Sequence, residues 1–241
     1  KVIVFALGYP PMMDLCLGFM ETFRDAGFRV LAIDTNREQG SIANVVEDKA
    51  NTLFSYIREK SIASVDWLIG YSEGALYGVQ TAFTNTSLFK NILILDGAGL
   101  VNLRSTDYIG RLTEIVLKGL INDKTRETFT AVIQDYLNLV ANSPIRYIQT
   151  CNAILNNNIL QCLSDLQQYH RVNIVFYHGE LDSLFTVEEV RAAIARFGFL
   201  TLNVISDVDH FSPVLAAAET AQALLTTLLA PVAAGGSVSP P

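Results

Sequence analysis

The chain has 241 residues, 17 Lys and Arg against 24 Asp and Glu, and a formal net charge of -7. Half of it is hydrophobic and only 17% is charged, with a mean hydropathy of +0.31. That composition excludes disorder. The acidic balance argues against a nucleic-acid groove or a surface for anionic lipid, and leaves a small neutral molecule as the expected partner. At roughly 100 to 200 residues per domain, a single α/β domain is the simplest reading.

Three cysteines, Cys16, Cys151 and Cys162, give an odd count and no disulfide framework, so reduced thiols in a cytoplasmic protein are expected. The most apolar late segment, Val214 to Ala234, carries Glu219 and Gln222 and lacks the ~20 uninterrupted apolar residues of a membrane span. Lys1 stands directly before an apolar run without an initiator Met, so the numbering is expected to begin inside a longer or processed chain.

In chain order, Val2 to Leu7 is a continuous apolar run, the pattern of a strand buried on both faces. Leu15, Phe19, Phe23 and Ala26 then recur at helical spacing, and Gly27 closes that helix. Strands follow at Arg29 to Ile33, Val65 to Ile69 and Asn91 to Leu95, separated by helices over Val45 to Lys60 and Glu73 to Thr84. About 75 residues then pass before the next strand, too many for an ordinary connection, so an inserted structure is expected.

Its helical stripes are Leu112, Ile115, Val116, Gly119 and Leu120, then Phe129, Val132, Ile133, Tyr136, Leu137 and Val140. After a Ser143 N-cap and Pro144, a third stripe runs through Ile148, Cys151, Leu155, Ile159, Cys162 and Leu166, with Asn156, Asn157 and Asn158 kinking it. The rhythm resumes with strands at Asn173 to Tyr177 and Leu200 to Ile205 and helices at Val187 to Phe197 and Pro213 to Leu229. This alternation predicts a doubly wound, mainly parallel sheet of about six strands built from 1–96 and 171–230. Residues 97–170 form a helical cap above the sheet's carboxyl edge, and 231–241, rich in Ala, Gly, Ser and Pro, a flexible tail.

Gly70-Tyr71-Ser72-Glu73-Gly74 follows a predicted strand and opens a predicted helix, the context a G-x-S-x-G nucleophile elbow requires. The sharp turn lifts Ser72 out as nucleophile, and the Glu73 amide at the helix start points where an oxyanion would form.

On these residues the chain resembles the α/β-hydrolase superfamily, over nearly its whole length apart from the cap and tail. The resemblance implies the order Ser, acid, His. His210, in Asp207-Val208-Asp209-His210-Phe211 after the final strand, is then the base, and His170 and His178 are structural. The acid is expected after the preceding strand, where His178-Gly179-Glu180-Leu181-Asp182 is similar to the family's G-x-x-D turn and puts Asp182 in place to orient His210, with Asp96 and Glu180 as rivals. The loop Leu7-Gly8-Tyr9-Pro10-Pro11 offers the Tyr9 amide as second oxyanion donor, since the prolines have none. Two departures stand out: Leu7-Gly8 replaces the family's common His-Gly, and the usual N-terminal edge strands are absent.

No metal or cofactor is expected. The H-x-E-x-D run of His178, Glu180 and Asp182 offers one imidazole and no thiolate, and neither a phosphate-binding G-x-x-x-x-G-K-[ST] nor a G-x-G-x-x-G occurs. Met12 and Met13 read as core. The expected function is that of a serine hydrolase acting through an acyl-enzyme on a small-molecule ester or thioester with a hydrophobic acyl group, free or carrier-bound. The alternatives are a lyase, cyclase or cofactor-free catalyst, or a small-ligand-binding protein, on the same fold.

Overall fold

The computed structural model describes residues 1–9, 13–35, 44–199 and 201–230. The Pro10-Pro11 turn, Met12, Leu200 and the 231–241 tail lie outside the described residues. Six strands, β1 Val2–Ala6, β2 Arg29–Ala32, β3 Trp67–Tyr71, β4 Asn91–Leu95, β5 Asn173–Gly179 and β6 Asn203–Ile205, form one parallel sheet in the order β2-β1-β3-β4-β5-β6. The helices are α1 Leu17–Asp25, α2 Val45–Glu59, α3 Gly74–Thr84, α4 Ser105–Ile121, α5 Arg126–Asn142, α6 Pro144–Asn156, α7 Leu160–His170, α8 Val187–Ala195, α9 Ser212–Leu215 and α10 Ala217–Leu229.

Strand alternation feeds two cores. Val4 and Ala6 of β1, Leu68 of β3, and Ile92 and Ile94 of β4 point to the face covered by α2, α3, α7 and α8. Ile3, Phe5, Ile69, Leu93 and Leu95 point to the other, where Phe19 and Phe23 of α1 and Leu224 and Leu228 of α10 close over them. A strand apolar at every position is the only kind that satisfies both faces, which is why these runs show no polar alternation. Local signals set the helix ends. The Asn44 side chain accepts from the Glu47 amide at the start of α2; Thr186 and Glu189 make a capping box at the start of α8; and Gly27, at φ +89°, follows α1.

Several sequence expectations need correction. The third helix of the insertion is two helices, α6 and α7, so four helices stand between β4 and β5. The asparagines end the helix instead of bending it. Asn156 and Asn157 donate back to the Asn152 and Ala153 carbonyls, Asn158 accepts from the Leu160 amide, and the Ile159 amide bonds to the Gly99 carbonyl. Leu137 and Ile148 are 61% and 57% exposed, because α5 packs on α4 and α6, and α6 on α2, leaving their outer sides bare. The last helix is split at Ala216, whose φ of -131° is not helical. β3 runs two residues later than expected because Gly70 and Tyr71 still pair with β4. β5 continues to Gly179 because His178 and Gly179 pair with β6.

Within the insertion α7 lies against α3 and β5, as a crossover helix does, while α4, α5 and α6 stand farther from the sheet. All three cysteines are free. Among the described residues, no helix is long and apolar enough to cross a membrane. Because the chain leaves β1 for β2 on one side and returns to β3 on the other, the crevice at the carboxyl ends of β1 and β3 is a topological switch point. The Leu7–Tyr9 loop and the turn after Tyr71 both open into it.

Candidate active site

Ser72 follows β3 directly and has φ +50°, a left-handed conformation that a serine holds only where the surroundings enforce it. Two close approaches do so. A side chain on Gly74 would fall on the Ala6 carbonyl, so α3 starts pressed onto the end of β1. A Cβ on Gly8 would lie 2.9 Å from the Tyr71 ring and 3.0 Å from the Ser72 Cβ, so the loop after β1 passes directly over the serine. Tyr9, the next residue, lines the same cavity as Ser72. Neither the Tyr9 nor the Glu73 amide donates to an acceptor among the described residues.

The Ser72 Oγ lies 2.9 Å from His210 Nε2, and His210 Nδ1 lies 2.8 Å from Asp182 Oδ2. The other Asp182 oxygen accepts from the Leu184 amide at 2.7 Å and the Phe185 amide at 3.1 Å, so Nδ1 donates and Nε2 is left to face the hydroxyl. The Tyr71 hydroxyl donates to the His210 carbonyl at 2.9 Å, fixing that loop from the strand beneath.

Burial pushes the Asp182 carboxyl upward, but the His210 ring, through charge and hydrogen bond, outweighs it and holds the carboxyl below its ordinary value. Burial likewise disfavours a charged His210; Asp182, helped by Asp96 and Asp209, more than offsets this and raises its pKa.

The rival acids are engaged elsewhere. Asp96, also at positive φ, accepts from the Gly179 amide at 2.8 Å and the Ser212 hydroxyl at 2.8 Å. Burial raises its carboxyl to about 6, against the opposing pull of His178. Glu180 accepts from the Asp207 amide and Asp209 from the Phe211 amide. His170 is exposed at the end of α7. His178 is buried, its Nε2 against the Phe185 carbonyl and its Nδ1 3.2 Å from Asp96.

Ligand atoms of Asp96, His178 and Asp182 lie within 4.8 Å of one another, a spacing an ion could use. Their carboxylate oxygens already accept from amide, hydroxyl or ring N–H donors. Such a donor set suits a hydrogen-bond network better than a cation.

A cavity of about 20 Å³ adjoins Ser72 and His210, lined by Tyr9, Tyr108, Leu112, Ile154, Leu184 and Phe211 among others. Its walls are aromatic or aliphatic, and α4 and α6 supply Tyr108, Leu112 and Ile154. Sequence reasoning missed Lys49, which is fully buried with its Nζ 2.5 Å from Glu73 Oε1. Its signal is positional: Val45, Lys49, Leu53 and Ile57 recur every four residues along the buried side of α2, and one of the four is a lysine.

No protein-family model and no curated protein matches this sequence. Solved structures do. The chain is similar to a bromoperoxidase from Bacillus anthracis, at 15% identity and a TM-score of 0.73, over 95% of this chain and 92% of that one. It is also similar to an esterase from Exiguobacterium antarcticum, at 14% identity and a TM-score of 0.71, over 95% and 92%. A third match is 2-hydroxy-6-oxo-6-phenylhexa-2,4-dienoate hydrolase from a Rhodococcus strain, at 12% identity and a TM-score of 0.73, over 95% and 91%. The chain shares the α/β-hydrolase fold with these structures.

Proposed function

We propose that this protein is a serine hydrolase that cleaves a carboxylic ester or thioester with a hydrophobic acyl group. The observation that carries the reading is the unbroken hydrogen-bonded row from Ser72 through His210 to Asp182, beginning at a serine in a strained turn. Ser72 Oγ attacks the carbonyl carbon while His210 Nε2 takes its proton; Asp182 holds the imidazole and stabilises the imidazolium. The Glu73 and Tyr9 amides receive the oxyanion, aided by the dipole of α3. The intermediate collapses as His210 protonates the leaving oxygen or sulfur, and water releases the acyl group by the same steps.

Residues 97–170 act in this reading as a cap, with α4 and α6 as its inner wall. A cavity of about 20 Å³ has room for about one water, so an acyl chain enters as the cap helices move outward. The aromatic and aliphatic side chains in its lining support a hydrophobic acyl group, and once opened the site would take a small-molecule substrate.

The test is Ser72→Ala, expected to abolish p-nitrophenyl ester turnover and fluorophosphonate labelling. Labelling at the native rate in that variant overturns the assignment.

A further inference from the structure

The Lys49–Glu73 pair lies outside the row of reacting groups. Burying an ammonium and a carboxylate together adds little stability, since the desolvation penalty on each ion rivals the attraction gained. Its place in the site is more informative. Glu73 follows the nucleophile directly, and its amide is one of the two assigned to the oxyanion. The Lys49 ammonium that meets its carboxylate also lies 5.0 Å from the centre of the Tyr9 ring, and the Tyr9 amide is the other.

The same ammonium lies 5.9 Å from the Tyr77 ring, whose hydroxyl donates to the Leu7 carbonyl at 2.9 Å. One buried cation thus meets the side chains of both donor residues and the ring of the tyrosine that ties down the start of the loop carrying Tyr9. The second Glu73 oxygen has no hydrogen-bond partner among the described residues, so Lys49 is the main counter-charge to that carboxylate.

We propose that Lys49 is a positioning residue for the oxyanion hole: it fixes Tyr9 and neutralises the Glu73 carboxylate, which would otherwise oppose the negative charge developing beside its own amide. The Lys49 ring contacts hold the loop and its ion pair holds the first residues of α3, so the two amides keep one spacing through the reaction. The inference rests on the serine-hydrolase reading.

The experiment compares fluorophosphonate labelling and p-nitrophenyl ester kinetics of the native protein with three variants, Lys49→Met, Glu73→Gln, and the two combined. Removing a single oxyanion donor slows a serine hydrolase by about 10² to 10³; Lys49→Met, with the carboxylate left uncompensated, is expected to lower kcat and labelling by about 10²-fold, with KM changed much less. Adding Glu73→Gln removes the orphaned charge and recovers at least about tenfold in kcat per folded molecule, with the folded fraction read by urea unfolding; a merely structural role would move the folded fraction and not kcat per folded molecule.

If Lys49→Met does not fold, the combined variant is compared with Glu73→Gln, which reads the ammonium with no orphaned carboxylate; the combined variant is expected to be about tenfold slower. Native-rate labelling of a folded Lys49→Met, no rescue, or equal rates in that second comparison overturns the proposal. If the native protein is not labelled at Ser72, the hydrolase reading falls and this inference falls with it; labelling of native protein and Lys49→Met alike overturns the inference alone.

Discussion

Arg111 on α4 joins the proposed cap to the loop that carries Asp182. Its guanidinium donates to both Glu189 oxygens, at 2.7 and 2.8 Å, and to the Leu184 carbonyl at 2.9 Å. Glu189 also accepts from the Thr186 amide and hydroxyl. The Arg111 hydrogen bond, with help from Thr186, pulls the Glu189 carboxyl from 4.5 down to about 2. At 1.36 kcal/mol per unit the shift sets a ceiling of about 3 kcal/mol. The side chains are 27% and 32% exposed and Thr186 shares the effect, so solvent screening reduces the Arg111 share to about 1 kcal/mol.

Because the folded value is depressed, this stabilisation is present above pH 4.5 and is lost as pH falls from there towards 2. Urea unfolding of the native protein, Arg111→Met, Glu189→Gln and the double variant at pH 7 closes a double-mutant cycle. The expected coupling is about 1 kcal/mol, falling to under about half at pH 3. A coupling below about 0.3 kcal/mol at pH 7 refutes the reasoning, since independent sites add to within that margin.

In the proposed reaction His210 must be neutral to act, and its pKa is raised, so the acid limb of the pH–rate profile should lie above the ordinary 6.5. Asp182→Asn should move that limb to lower pH and reduce kcat by about 10⁴-fold, and an unmoved limb counts against Asp182 as the partner of His210. Gly74→Ala drives a methyl into the Ala6 carbonyl and should cost about 1–3 kcal/mol or more, lowering Tm by roughly 2–4 °C for each; an unchanged melt refutes the close approach. Burial pushes the Cys16 thiol up to about 12, whereas Cys151 and Cys162 are half-buried. Peptide mapping after iodoacetamide at pH 8 should therefore find Cys16 unmodified in folded protein and modified in urea, and equal labelling of all three when folded contradicts that burial.

The sheet was legible because its determinants are local and redundant. Runs such as Ile92 to Leu95 are apolar at every position, and only a strand covered on both faces uses them. Ser72 was legible for a similar reason, since Gly70 and Gly74 mark a turn that needs space on both sides. The partners of Ser72 came from chain order within a family, because nothing local says that His210 lies near a serine 138 positions earlier. What escaped is what depends on long-range packing or on a competing local bond. The Lys49–Glu73 pair spans 24 positions, and the split between α6 and α7 arises from asparagine side chains capturing backbone groups that a longer helix would have used. Leu137 and Ile148 satisfy the helical period yet face outward, since periodicity says which residues share a face but not whether anything covers it.

Ser72, His210 and Asp182 all sit on loops at the carboxyl edge, yet their geometry is set from the strands and helices below. The Tyr71 hydroxyl at the end of β3 holds the His210 carbonyl. The Tyr77 hydroxyl on α3 holds the Leu7 carbonyl. Asp96, at the tip of β4, reaches both the Gly179 amide at the end of β5 and the Ser212 hydroxyl two residues past His210. Each of these bonds is buried, where an unmade partner costs about 1–3 kcal/mol, so each loop has one strongly preferred seat. This explains why Asp96, placed as well as Asp182 by chain position, is not the residue against His210: its oxygens are spent joining the strand ends on which the histidine loop rests. In the proposed reaction, an oxyanion site whose donors are backbone amides needs such a base, because it stabilises charge only where the dipoles are fixed before charge develops.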